Sequence, residues 1–457
     1  MSANAALSPE SGADIKLTED IAAWTSSFTD GDLSDAAREW GKHALLDWIS
    51  VTTFGAREPL SKMLGEEYGE VDGGPCVVIA QGVRARTHDA ALINGSAGHA
   101  LDYDDVNQQL HGHPSVPVAP AALAVGQALG KSGADVLRAF IIGYQVECEI
   151  GGMAGDEHYD KGYHATGTVG TFGAAAAAAN LMGLNAEQTA HALGLAATQT
   201  AGLKRMFGSM AKPLHAGKAA MNGVIAAQLA ARGFTAGADG IEGPQGFATT
   251  MAPGFVVSPF RPDASAPFAV ERTLFKYHAS CYLTHSTIEI IKSLRDKHNI
   301  GIDDLEKMTV GMAPASRKVC DIPVPETGLQ IKFSIRHLAA LALDGANTAD
   351  LGLFTDDVAL DSRIGAAREK VEIEHRQLPN RSAGVVSLQT KDGRTFEGET
   401  NVGIPATDVG AQWTKLVQKA RANMVPVFGE QRTTDAIEAV KAIEGIAKIS
   451  QLMEKIA

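Results

Sequence analysis

The residues best suited to chemistry fall in four short segments punctuated by Gly and Pro, the setting in which a rigid scaffold exposes reactive groups. In NGSAGHALDYDDVNQQLHGHPSVPVAPAALA, His99, Asp102, Asp104, Asp105, His111 and His113 crowd together, and Pro114, Pro117 and Pro120 are expected to interrupt any helix. Three carboxylates beside three imidazoles suit a metal, a general base with orienting partners, or a solvated turn. Their density favours a functional use, because burying so many charges is costly. In HYDKGYHATGTVGTFGAAAAAA, His164 precedes a Gly-rich helix start. No apolar strand leads into these glycines, which excludes a dinucleotide fold; they serve tight helix packing, while the free N–H groups of the helix start favour a nearby carboxylate.

The third segment, AGLKRMFGSMAKPLHAGKAA, gathers Lys204, Arg205, Lys212, His215 and Lys218 around Gly208, Pro213 and Gly217. Its Leu, Met and Phe neighbours imply partial burial, which suits a lysine to proton transfer, and Lys212 is the strongest single candidate. The fourth, FKYHASCYLTHSTIEII, offers Lys276, His278, Cys281, Tyr282 and His285. No strand–turn–helix elbow or ordered acid–histidine partner supports Cys281 as a nucleophile.

Positioning these groups requires a large scaffold. The 457 residues exceed one compact core and predict two domains. Hydrophobic residues at 45%, aromatics at only 6% and 48 glycines point to closely packed helices. Helical periodicity runs from about Leu17 to Met251, with Asn185 and Asp135 as candidate helix starts. The Pro/Gly/Ser-rich GFVVSPFRPDASAPF places a boundary near residue 265. Beyond it, EKMTVGMAP, KVEIEHR and GVVSLQTKDGRTFEGET read as strands, the last a hairpin around its DG turn, with helices at THSTIEIIKSLRDKHN and RHLAALALDG. The fold class is therefore mainly α: a helical domain of residues 1–265 and 408–457, and a smaller α+β lid of residues 266–407.

A net charge of −13 excludes nucleic acid or an anionic membrane surface as the main partner, so an anionic substrate must meet a local basic pocket. Cys76, Cys148, Cys281 and Cys320 are scattered without metal or disulfide spacing, which fits a reducing compartment and predicts a cytoplasmic protein. The first twenty residues lack an apolar core and read as a short flexible tail rather than a secretion signal. No run is long and apolar enough for a membrane span.

Taken in order, NG-x3-HALDYDD followed by GHPS, GYH-x5-GTFGAA, FGSMAKPLHAGKAA, FKYHASCYLTH and QIKFSIRHLAALALDG resemble the MmgE/PrpD family across nearly the whole chain. That family includes 2-methylcitrate dehydratase, cis-aconitate decarboxylase and iminodisuccinate epimerase. The resemblance implies a homodimer that acts on a small anionic polycarboxylate without metal or organic cofactor, at a site between the two domains. It carries catalytic roles onto Asp102, His113, His164, Lys212 and Lys276. In this reading His164 and Lys212 transfer protons, Lys276 and Arg205 hold carboxylates, and Asp102 orients His113. Lys204, His99, Asp105, His337 and His278 complete the substrate-binding set. Two positions depart from the family's pattern: Val106 stands where Thr is common, and His337 where Tyr is common. A 2-methylcitrate dehydratase-like hydro-lyase is the leading expectation, with decarboxylation or epimerisation as alternatives. From other classes, DYDD suggests a Mg-dependent helical prenyl or terpenoid enzyme, which lacks its second acidic cluster here, and an inactive binding member is the last alternative.

Overall fold

The computed structural model describes residues 15–70, 73–260, 262 and 266–457. The expected N-terminal tail up to residue 14 and the boundary at residue 265 lie outside the described residues. The fold is mainly α, 59% helical with small sheets. The helices that matter to the site are α1 (Asp35–Gly55), α2 (Thr87–His99), α3 (Ser115–Leu129), α4 (Gly133–Lys161), α5 (Gly170–Met182), α6 (Ala186–Ala197) and α7 (Ala211–Ala231).

Local chemistry sets their ends. Asn185 caps α6, its side chain accepting from Gln188 N at 2.9 Å. At α4 the cap is Ser132 rather than Asp135; Asp135 sits three residues on and returns the bond as the second half of a capping box. The proline expectation is overturned: α3 runs through Pro117 and Pro120. Pro117 lies in the first turn, where its missing N–H has no intrahelical partner to lose.

Small residues bring the helices together. The run from Gly170 to Ala179 in α5 is buried throughout. Helices α2 and α7 touch backbone to backbone at Gly95 and Gly217; a Cβ on Gly217 would lie 2.1 Å from Ser96 Oγ and 2.3 Å from the Leu92 carbonyl. This approach, which only glycine permits, sets the start of α7, and with it Lys212, beside the end of α2.

Among the described residues two large apolar cores result, with a small third cluster of Val51, Leu101, Tyr103 and Ala279 between the loop after α2 and its neighbours. One joins Leu17 through Phe275 with Leu416 through Ile456, so that the helix α10 (Val409–Phe428) packs back on α1. The other spans Cys281 to Leu388. It holds the helices α8 (His285–His298) and α9 (Ile335–Asp344) against the strands β1 (Leu305–Met312), β2 (Val371–His375), β3 (Ala383–Thr390) and β4 (Thr395–Asn401). The strand order is β2-β1-β3-β4; β1 and β2 are parallel, with Met308 opposite Val371, and the rest is antiparallel. The hairpin turns at Asp392–Gly393, where Gly393 adopts φ 87°. No helix among the described residues is long and apolar enough to cross a membrane.

Candidate active site

The loop between α2 and α3 forms the centre of the site. Asp102 and His111 hold left-handed backbones, φ 50° and 58°, uncommon for residues with a Cβ. Distant segments fix this loop by gripping three successive carbonyls. Lys332 Nζ donates to Leu101 O at 2.5 Å, Lys276 Nζ to Asp102 O at 2.6 Å and Lys419 Nζ to Tyr103 O at 2.7 Å. All three lysines are buried. Burial pushes Lys332 down to about 8, and it pushes Lys419 down despite the Asp47 carboxylate 2.7 Å away.

Two buried carboxylates then organise the cations and imidazoles. Asp102 Oδ1 lies 2.9 Å from Lys212 Nζ, 2.8 Å from Lys276 Nζ and 3.5 Å from His113 Nε2. Burial pushes its pKa up, but the charges of Lys212 and Lys276, followed by His113 and His99, outweigh that and hold it well below the ordinary carboxylate value. Asp104 accepts from His99 Nδ1 at 2.9 Å and faces His113 Nδ1 at 3.2 Å; burial is again outweighed, here by the two imidazoles, and its pKa falls likewise. His99 itself is driven by burial down to about 4 against the pull of Asp104.

His164 stands just before the short helix that precedes α5, with Nδ1 3.2 Å from His215 Nδ1 and its ring stacked 5.6 Å from His99. Burial, then the neighbouring His99 and Lys212, hold it well below its ordinary pKa. The Lys212 ammonium sits 5.0 Å from the ring centres of both Phe207 and Phe333. A cavity of about 350 Å³ opens in front of these groups, lined by Asp102, His113, His164, Lys212, Tyr159, Phe207, Cys281, Phe333 and Arg381 among others. Lys276 lies behind Asp102, outside that lining.

The other residues singled out in the sequence are placed as follows. His99 backs the cavity without lining it, and Val106 and His111 line it. Asp105 accepts from the Ser115 hydroxyl at 2.6 Å at the start of α3, and burial holds its carboxyl well above the ordinary range. Lys204 lies over the Tyr159 ring at 3.6 Å, and Arg205 is exposed. His278 pairs with Glu289 at 2.5 Å and Thr348 at 2.8 Å, and His337 meets the Val358 carbonyl at 3.1 Å; neither lines the cavity. The Cys281 thiol at the cavity edge shares a hydrogen bond with Cys320. Lys332, Lys419 and Arg381 are among the residues that the sequence reading did not single out. Lys332 stood inside the quoted QIKFS, while Lys419 and Arg381 had no local signal.

These buried imidazoles give the fold a pH signature. His43, His99 and His337 are held at about 4, and His164 and His285 well below their ordinary value, in each case chiefly by burial. They stay neutral in the folded chain, whereas an unfolded histidine takes a proton below about 6.5. Stability is therefore present above about 6.5 and is lost as pH falls toward 4. Asp47, at about 6, and Asp105 and Glu147, both raised by burial, work in the opposite sense, but the imidazoles outnumber them. The melting temperature is expected to drop by roughly 5–10 °C between pH 7 and pH 5; a flat or rising profile in calorimetry would contradict this balance.

The chain belongs to the MmgE/PrpD family: the MmgE/PrpD N-terminal domain matches residues 19–259 and the C-terminal domain residues 278–444. Among curated relatives, cis-aconitate decarboxylase of Aspergillus terreus is 25% identical over 98% of this chain and 97% of its own. Cis-aconitate decarboxylase of Homo sapiens is 26% identical over 95% and 93%. That of Mus musculus is 25% identical over 79% and 77%.

Proposed function

We infer that the protein is a carboxy-lyase acting on a small unsaturated tricarboxylate of the cis-aconitate type. The observation that carries this reading is the buried Asp102 carboxylate shared by Lys212 and Lys276 at the wall of the cavity, beside His113 and His164. The end-to-end match to relatives named cis-aconitate decarboxylase moves decarboxylation ahead of the dehydration expected from the motifs.

The chemistry follows from the substrate. When the allylic C–CO2 bond of such an acid breaks, its electron pair forms a new C=C bond. The old double bond's pair moves to the carbon next to the remaining terminal carboxylate. That carboxylate gains aci-carboxylate charge, which a nearby ammonium stabilises, and one proton on the carbon completes the product, so that a trianion and H⁺ give CO2 and a dianion. In this reading Lys212, paired with Asp102 and facing the cavity between two phenyl rings, both holds that charge and delivers the proton. The neutral imidazole of His164 offers a hydrogen bond without adding charge. Lys276 serves from behind, fixing Asp102.

His99, Asp102, Asp104 and His113 present ligand atoms within 4.8 Å of one another and are thus also a candidate cation group. The two ammoniums on Asp102 already supply the positive charge a cation would bring. The DYDD carboxylates are buried against Lys, His and Ser rather than turned toward solvent, which weighs against a diphosphate site.

The test is proton NMR with CO2 measurement on EDTA-treated protein given cis-aconitate or 2-methylcitrate. The expected result is one CO2 per cis-aconitate consumed, at a rate EDTA leaves unchanged, with 2-methylcitrate intact. Water loss from 2-methylcitrate without CO2 would restore the dehydratase reading. Activity abolished by EDTA and regained with a divalent cation would turn the Asp–His cluster into a metal site.

A further inference from the structure

Arg381 lies in the connection between β2 and β3, outside every motif of the sequence, yet it lines the cavity. Its backbone is pinned on the C-terminal side: Asn380 Oδ1 accepts from Ser382 N at 2.9 Å, and Ser286 Oγ donates to Ser382 O at 2.5 Å. Its guanidinium pairs with Asp156 and lies 5.6 Å from the centre of the Tyr159 ring. Asp156 comes from α4, immediately after Gly155 breaks that helix with φ 61°, and it also meets His111 Nδ1 at 3.0 Å.

A tricarboxylate brings three negative charges into a space whose lining, among the described residues, offers two basic side chains, Lys212 and Arg381. Lys212 is already engaged with the buried Asp102 at 2.9 Å. Arg381 has a softer partner: the Asp156 side chain is 62% exposed while that of Arg381 is 27% exposed. An exposed ion pair contributes little to stability, so Asp156 can turn to water at small cost while the pinned arginine stays. The planar guanidinium then fits a carboxylate with two parallel hydrogen bonds.

We propose that Arg381 is the specificity-determining residue for the substrate: it receives the carboxylate farthest from Lys212, displacing Asp156, and thereby selects tricarboxylates over dicarboxylates. The assignment rests on the tricarboxylate reading given above. Calorimetric binding of tricarballylate, a saturated tricarboxylate with no double bond to react, and of glutarate, a dicarboxylate, tests it separately from turnover.

Arg381→Met is expected to weaken tricarballylate by about tenfold or more while leaving glutarate unchanged, with Arg381→Lys in between. On cis-aconitate, KM is expected to rise more than kcat falls. Asp156→Asn, which frees the guanidinium, is expected to bind tricarballylate at least as tightly as the wild type. Equal weakening of both acids by Arg381→Met would show a merely structural clasp and overturn the proposal, as would no change in either. If the wild type binds tricarballylate but releases no CO2 from cis-aconitate, the lyase reading fails and the ratio of the two affinities still decides the role of Arg381. If it binds no tricarboxylate, both fall.

Discussion

Lys212→Ala is expected to lower kcat/KM on the true substrate by about 10³-fold while the protein still folds. The Lys212 side chain is buried between Phe207 and Phe333 and reaches Asp102 at 2.9 Å from the cavity wall. Truncating it removes the ammonium that faces the developing carboxylate charge, an effect worth about 10² to 10³ in rate for a single preorganised donor. It also removes the proton source, worth about 10² to 10⁴. The two losses overlap because one group performs both tasks, so their product overstates the effect. Asp102 keeps Lys276 at 2.8 Å, so the fold retains a counter-ion for its buried carboxylate. Lys212→Arg separates the two roles: it preserves the charge but gives up protons far less readily, and is expected to recover substrate binding without turnover. Activity of Lys212→Ala within about tenfold of the wild type, with an unchanged melting temperature, would remove Lys212 from the chemistry.

How much of this site was legible depends on how close its parts lie in the chain. His99 at the end of α2 and Asp102, Asp104 and His113 in the loop that follows it lie within one short stretch, so their proximity in space follows from their proximity in sequence. His164 and Lys212 were legible for a related reason, each standing at the start of a small-residue helix. The contact between α2 and α7 through Gly95 and Gly217 that unites them was not, because a glycine pair far apart in sequence gives no sign of its partner. Lys332 and Lys419 escaped notice because their function is to bond backbone carbonyls across the molecule, and any helix or loop lysine looks alike until its burial is known. Arg381 is hidden in the same way. Asp105 shows the converse: it carries the strongest motif context, yet its carboxylate faces Ser115 at the start of α3, where the prolines in fact permit a helix. The sheet was read well because its strands alternate and its turn contains DG, both purely local signals.

Asp102→Asn is expected to cost about 3–5 kcal/mol of stability and to abolish turnover, and the more telling result is that the effect of Lys276→Met reverses sign in the Asp102→Asn background. In the wild type Lys276 is 0% exposed and its ammonium bonds both the carboxylate and the carbonyl of Asp102. An asparagine keeps the carbonyl bond and the shape but leaves Lys276 and Lys212 as two buried like charges, with an amide oxygen in place of their shared anion. Desolvated without a counter-ion, they repel each other and favour the unfolded chain, where water restores their hydration. Lys276→Met alone removes one of two cations and is destabilising. In the Asp102→Asn background the same substitution removes a stranded charge and is expected to restore roughly 2 kcal/mol. The Asp102 pKa lies well below its ordinary value, so its contribution is complete above about pH 4 and is lost as pH falls through the folded value. The gap in melting temperature between wild type and Asp102→Asn should therefore be full at pH 7 and narrow in strong acid. Denaturation of the two single variants and the double variant at pH 7 measures the coupling directly. Simple additivity would mean that Asp102 is not the charge partner holding Lys276 in place, and the buried aspartate would lose its role as the hub of the site.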